Sequence, residues 1–559
     1  MIQPEALKKD EPWLWSPGAG NDVWEMFMSC MNGDLDNVKR LIAKDPSLVR
    51  SHFEYRTPLS FAVRENQLAV AEYLLDLGAA SVGLGDPLEM ARDRGYAEME
   101  HLLSRKFAEL HRASDEGEPV AKAIRDYDLT KVGALLDASP HLTNAGDRGS
   151  SQPIHWATMT RQTDVIDELL GRGADIDAKR LDGARPIHLT NGDYTYRGWR
   201  DVPSRVTTTP ADVYKHLLSR GAYVDVWMAA LKGDLERVRE LIDEKPSLVN
   251  ESNEYNSYYG GCGSPLKNAA ATGHIEIVKL LLDRGADPNL PAEGIAPNGH
   301  ALYSAVYSGH YEIAKLLLDR GANPNAPAES SGDPVWIAIR DGDLKMVALL
   351  ASHGATWEIP IDEGPLKYDE IVATGLKRSV EVLAYFGDVK SADPMFDADP
   401  SLANDPEALK VAAGKNHENF VDLLLKHQPK LAERVLVSRP REMAEFLFAR
   451  GMNPNLRNWV ERTPLHHFAS HGDIDSAGFY IDHGADLNAR DDEDRSTPLA
   501  LAAREGKTEM VEFLLRRGAK AQLADDPEWA TPMAWATRRG HDEVVRILTI
   551  AGTEALRPR

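Results

Sequence analysis

Eighteen histidines are the first groups in this chain that could ligate a metal or relay a proton. Their placement points elsewhere. His155, His188 and His466 each sit two residues after a proline, in Gln152-Pro153-Ile154-His155, Arg185-Pro186-Ile187-His188 and Thr463-Pro464-Leu465-His466. His274, His310 and His541 each follow a glycine at a turn. None of these spacings matches a zinc-ligand pattern. His466 and His467 are adjacent and face different sides of a helix. No metal or cofactor is expected. Gly260-Gly261-Cys262-Gly263 could offer backbone N–H groups to an anion, but it lacks the Lys-Ser/Thr of a phosphate loop and reads as a flexible hairpin tip. Cys262 as a nucleophile would need a base and a lowered pKa, and the sequence shows neither. Asp388, Asp393, Asp397 and Asp399 do not fit a 12-residue calcium loop, so a plain spacer is expected there. No serine-hydrolase, zinc-protease or kinase motif appears. No catalytic residue is assigned, and the reading leans against an enzyme.

Aromatic and arginine side chains offer recognition chemistry instead. Asn191 to Pro210 holds Tyr194, Tyr196, Arg197, Trp199, Arg200 and Asp201. Val249 to Pro265 holds Tyr255, Tyr258 and Tyr259, and Trp336 follows later. Tyr, Trp and Arg anchor binding surfaces because they bury much area and pair bidentately. Two readings stay open for these loops. They form a contact surface, or the aromatic groups pack the loops against themselves. The expected ligand-binding residues are Tyr194, Tyr196, Arg197, Trp199, Tyr255, Tyr258, Tyr259 and Trp336.

The elements that carry these residues repeat. A Ser/Thr-Pro start leads to a Leu-rich segment that ends in Gly. Pro58 to Gly78 spans twenty residues, and so do Pro153 to Gly173, Pro265 to Gly285, Pro334 to Gly354, Pro464 to Gly484, Pro498 to Gly518 and Pro532 to Gly552. Sixteen units follow, starting near 25, 58, 87, 119, 153, 186, 225, 265, 301, 334, 367, 408, 431, 464, 498 and 532. Within a unit, Ser or Thr caps a first helix and Pro occupies its first position. Val278, Leu281 and Leu282 form the apolar stripe of a second helix, and Gly285 ends it in the left-handed region. Each helix pair is too small to bury its stripe alone, so the units must stack into an elongated all-α repeat solenoid. Some units end in Pro-x-Leu instead, as at Asp45-Pro46-Ser47-Leu48 and Asp399-Pro400-Ser401-Leu402. Unit six departs most: Pro186 to Gly221 spans thirty-five residues, fifteen more than the standard.

Thr463-Pro464-Leu465-His466, Gly273-His274-Ile275-Glu276-Ile277-Val278-Lys279-Leu280-Leu281-Leu282 and Gly285-Ala286-Asp287-Pro288-Asn289 resemble the ankyrin repeat, over about residues 23–552. The resemblance implies helix pairs with β-hairpin loops along one edge, a concave groove of first helices and hairpin tips, and recognition of a protein partner. It names no partner. The array divides into a segment at 1–22, first repeats at 23–112 and a central array at 113–386 with insertions at 191–210 and 250–263. An irregular connection at 387–407, final repeats at 408–552 and a tail at 553–559 follow. Lys and Arg number 64 against 87 Asp and Glu, a net charge of −23. That balance argues against sequence-blind nucleic-acid binding and against an anionic membrane, and favours a partner with a basic face. Two distant cysteines and no long apolar run suggest a cytoplasmic setting. The expected function is a protein-binding scaffold working through the concave groove and central loops. The alternative is an enzyme or small-molecule binder, taking a carbohydrate-like or carboxylate ligand in a pocket of those loops. Self-assembly through the array's ends is a third possibility, and the oligomeric state is open.

Overall fold

A computed structural model describes the chain except residues 12–15, 55, 80–86, 112–114, 181, 194, 254–262, 291–300, 327–331, 362–363 and 556–559; for 110–111 and 552–555 it gives backbone alone. The repeating unit is the one its residues dictate. Seven-residue first helices run over Pro58–Arg64, Pro265–Ala271, Pro334–Arg340 and Pro498–Arg504. Nine-residue second helices follow at Leu68–Asp76, Ile275–Asp283, Leu344–Ser352 and Thr508–Arg516. The first helix starts where a side-chain oxygen takes up an otherwise unpaired backbone N–H. Thr57 accepts from Ser60, Ser264 from Lys267 and Thr497 from Ala500. Where the turn between the two helices is tightest, glycine has no substitute. Gly233 lies at φ +80°, and a Cβ there would fall 2.6 Å from the His274 ring of the next unit.

In several hairpins an asparagine sews neighbouring units together. Asn289 donates from Nδ2 to the Gly321 carbonyl (2.9 Å) and accepts on Oδ1 from the Asn323 N–H (2.6 Å). Asn250 and Asn455 make the same pair of bonds to Gly285 and Asp287, and to Gly484 and Asp486. Each bridges two backbone groups that adjacent hairpins would otherwise leave to water. Apolar stripes merge across units into extended cores: Val226 to Val382, Leu383 to Leu548, and Val120 to Ala222. The molecule is an all-α repeat solenoid. The one strand pair among the described residues joins Thr356–Trp357 to Lys377–Arg378 in parallel.

Two stretches differ from expectation. The expected connection at 387–407 contains a second helix, Val389–Ala398, capped by Asp388 and followed by the short turn Pro400–Ala403. It pairs with Val380–Phe386 to form a unit of the same Pro-x-Leu subtype as Leu35–Lys44, Leu129–Ala138 and Leu235–Glu244. Unit eleven therefore begins near 380, not 367. Residues 356–378 form an inserted segment, pinned by buried Trp357 against Tyr368 and Phe386 at ring separations of 5.9 and 5.4 Å.

The larger difference is at the ends. Hairpins of units thirteen to fifteen and the helix turn of unit sixteen contact units one to three, so the two ends of the array meet. The Met1 ammonium pairs with Asp492, and the Ile2 N–H donates to the Trp459 carbonyl (2.9 Å). Trp459 packs edge-on to Phe53 (5.4 Å) under the Arg56 guanidinium and donates from Nε1 to Glu54 (2.6 Å). Trp459 and Val460 belong to the same apolar core as Val23, Phe27 and Phe61. Ion pairs flank it: Arg56 with Glu493 (2.9 Å), Arg495 with Glu65 (2.7 Å), and Arg539 with Glu89 and Asp93 (both 2.8 Å).

Candidate functional site

The inserted loop of unit six is built around Asp193. A short turn, Pro186–Leu189, stands in place of the first helix. Asp193 is buried, pairs with the buried Arg180 and accepts the Thr195 and Tyr196 N–H groups at 2.9 and 2.8 Å. The chain doubles back at Gly192 (φ +87°), where a Cβ would meet the Tyr196 carbonyl at 2.0 Å. The predicted residues then separate. Tyr196 is half-buried, edge-on to Trp156 (5.7 Å), and donates to the Asp201 carbonyl (3.1 Å). Its phenol pKa is pushed up, chiefly by burial. The Arg197 N–H donates to Asp201 (2.7 Å), while Arg200 and Asp201 pair at 2.7 Å. These groups hold the loop. Trp199 stands out of it, 58% exposed. Tyr194, Tyr255, Tyr258, Tyr259 and Cys262 lie outside the described residues.

Trp336 belongs to a different assembly, which runs along the first helices of units nine and ten. Tyr303 and Tyr307 stack at 6.1 Å, with Tyr307 56% exposed. The Arg340 guanidinium lies 5.3 Å from both the Tyr307 and the Trp336 ring centroids, and Asp341 pairs with it at 2.6 Å. An arginine held near two aromatic rings and a carboxylate is ordered before any ligand arrives, so it loses little side-chain freedom on binding. The sequence reading named Trp336; the structure sets Tyr303, Tyr307 and Arg340 beside it. The signal they share is the register. Tyr303 and Trp336 occupy the position two residues past the unit start, and Tyr307 and Arg340 the position six past it.

The histidines at the Pro+2 position are structural. His155 is fully buried; its Nδ1 accepts the Gln152 N–H and its Nε2 bonds the Ala178 carbonyl, both at 3.0 Å. An acceptor on one nitrogen and a donor on the other fix the neutral ring. Burial accordingly pulls its pKa down to about 3. His466 repeats the arrangement between Thr463 and Ser496, with a pKa pulled down to about 4. In the stretch of acidic residues, Asp388 and Asp399 cap local turns. Asp393, Asp397 and His427 bring three candidate ligand atoms within 4.8 Å of one another, with Asp397 exposed and the other two partly buried.

The model for ankyrin repeats in three copies matches residues 226–328, 434–525 and 479–557, and that for the single ankyrin repeat matches 54–87 and 152–180. Together these segments span just over half of the chain. The chain is an ankyrin-repeat protein. It is similar to the probable E3 ubiquitin-protein ligase XBOS32 of Oryza sativa subsp. japonica, at 28% identity over 31% of this chain and 39% of that protein. It is likewise similar to the E3 ubiquitin-protein ligase XBAT32 of Arabidopsis thaliana, at 28% over 31% and 37%. The ankyrin repeat protein nuc-2 of Neurospora crassa matches at 26% over 47% of this chain and 24% of its own length. The chain thus spans less than two-fifths of each of these relatives. Among the described residues no helix is long and apolar enough to cross a membrane.

Proposed function

We propose that this ankyrin-repeat array is a protein-interaction scaffold whose recognition face is the inner surface of its central units. The observation that carries the reading is the Arg340 guanidinium held between Tyr307 and the half-buried Trp336 on adjacent first helices. Exposed Trp199 in the unit-six loop is a second candidate contact. Units one to three are in contact with the chain's own later hairpins, which leaves the central units for a partner. The net charge of −23 favours a partner with a basic face, mainly by speeding encounter. A reducing, cytoplasm-like setting fits Cys30, a buried thiol whose pKa burial raises. The ligase activity named for two relatives is not carried over, because the match covers a minor part of each.

The test compares partners captured by wild type and by a Trp199→Ala/Tyr307→Ala/Arg340→Ala variant, with urea unfolding of both as a control for folding. Loss of specific partners from a variant of unchanged stability is expected, since hot-spot aromatic and arginine side chains each contribute about 2 kcal/mol or more. Recovery of the same partners at the same yield would remove the central face from consideration.

A further inference from the structure

Where the two ends of the array meet, a cavity of about 960 Å³ opens between them. That is the size of a small-molecule site. None of the described residues expected from sequence to bind ligand lines it. One wall is the first helix of unit three with Glu89, Asp93 and Arg94. The other comprises the first helices of units fourteen to sixteen, carrying His467, His471, Arg504 and Arg539.

Seven arginines and lysines and five carboxylates line the cavity, in a chain that carries −23 overall. Most of the cations are engaged. Arg56 pairs with Glu493, Arg504 with Asp494, Arg462 with Asp491 and Asp494, Arg539 with Glu89 and Asp93, and Arg457 with Glu461. The two left without an ion pair among the described residues are Arg94 and Lys507. Arg94 is the unusual one, at 7% exposure. Its Nη2 donates to the Glu493 carbonyl (2.8 Å) and its plane lies 4.8 Å from the Trp529 ring centroid, while Nη1 has no acceptor among the described residues. A buried guanidinium facing a carbonyl and an aromatic ring, with one amino group unbonded, is costly unless an anion completes it. Arg is also the side chain that grips phosphate and carboxylate oxygens with two parallel bonds.

We propose that this seam cavity binds a small polyanion, a molecule bearing two or more phosphate or carboxylate groups, with Arg94 and Lys507 as its charge partners. Because the walls come from opposite ends of the chain, the ligand also ties the ends together. The reading is independent of the central face proposed above.

Inorganic pyrophosphate and citrate serve as probes, titrated calorimetrically into the full chain at low ionic strength. Binding of at least one at a single site is expected. Pyrophosphate alone would assign the site to phosphate-bearing molecules, citrate alone to polycarboxylates. Arg94→Met, which removes a buried charge while keeping the stem, should weaken that binding at least about tenfold, the scale of one charged hydrogen bond. Lys507→Met provides a second reading at a less buried position, and Lys279→Met, an exposed cation of the central array, should leave affinity unchanged. If neither probe binds at millimolar concentration, or if Arg94→Met and Lys507→Met both bind as wild type does, the assignment is overturned.

Discussion

His155 shows how one side chain ties a helix start to the hairpin that ends its unit and makes that link pH-dependent. Its neutral ring joins the Gln152 N–H at a helix start to the Ala178 carbonyl of the following hairpin. The folded-state pKa of about 3 lies below the value near 6.5 of an unfolded histidine. Between those values the unfolded chain binds the extra proton, so acid favours unfolding there. The stabilisation is complete above about pH 6.5 and is lost as pH falls toward 3. Integrated to pH 4, one such residue contributes on the order of 3 kcal/mol. His466, depressed to about 4, adds a second share over a narrower window. Urea midpoints measured from pH 4.5 to 8 should therefore fall on the acid side, and His155→Gln should flatten that fall while lowering the midpoint at neutral pH. An unchanged acid slope in the variant would place the titration elsewhere. These structural roles were legible in the sequence because the histidines recur at one register position. Arg94 was not legible. Nothing about its neighbours in sequence announces a tryptophan more than four hundred residues away.

At the scale of elements, the repeat made most helices readable, and the exceptions have physical causes. The helix Val389–Ala398 contains Pro394, which lacks an N–H and clashes with the preceding turn. That proline, amid four aspartates, makes the stretch read as a spacer, although Gly387-Asp388 opens it as Gly33-Asp34 and Gly233-Asp234 open theirs. The inserted segment at 356–378 was hidden for the opposite reason. It starts directly after a normal Gly-Ala ending, yet its only helix among the described residues, Tyr368–Val372, has five residues. Its order comes from Trp357, which is 1% exposed, donates from Nε1 to the Ile359 carbonyl (2.8 Å) and joins the rings of Tyr368 and Phe386. A single large side chain thus carries the junction between the cores on either side. Trp357→Ala should cost about 3–5 kcal/mol, the usual range for emptying a buried tryptophan site. In a solenoid that loss is local, so urea unfolding should split into two transitions, with one half of the array melting first. A single transition at the wild-type midpoint would show that the insertion is peripheral.

The closure of the array belongs to the whole molecule, and no local signal encodes it. Stacking requires only that each unit bury its neighbours' stripes, and an open curved rod satisfies that. Closing the rod needs two surfaces to be complementary after about sixteen small rotations accumulate, a condition that no single repeat expresses. Once the ends are near each other, little is needed to hold them, because the contact is intramolecular and its effective concentration is high. The seam meets that need with one apolar anchor, Trp459 against Phe53, and a ring of ion pairs led by Arg539 with Glu89 and Asp93. Exposed ion pairs contribute about 0–1 kcal/mol each and are screened by salt, so the tryptophan carries the larger share. A Trp459→Ala/Arg539→Glu variant removes the anchor and sets three carboxylates against one another. Small-angle X-ray scattering should show its radius of gyration rise as the ends part, with each helix pair intact by circular dichroism. Adding Glu89→Arg and Asp93→Arg restores the attraction and should recover part of the compaction. High salt alone should leave wild type closed, since the apolar anchor is indifferent to screening. A variant that scatters as wild type does would mean that curvature built into the stack, not the seam, brings the ends together, and the seam would then be a consequence of the shape and not its cause.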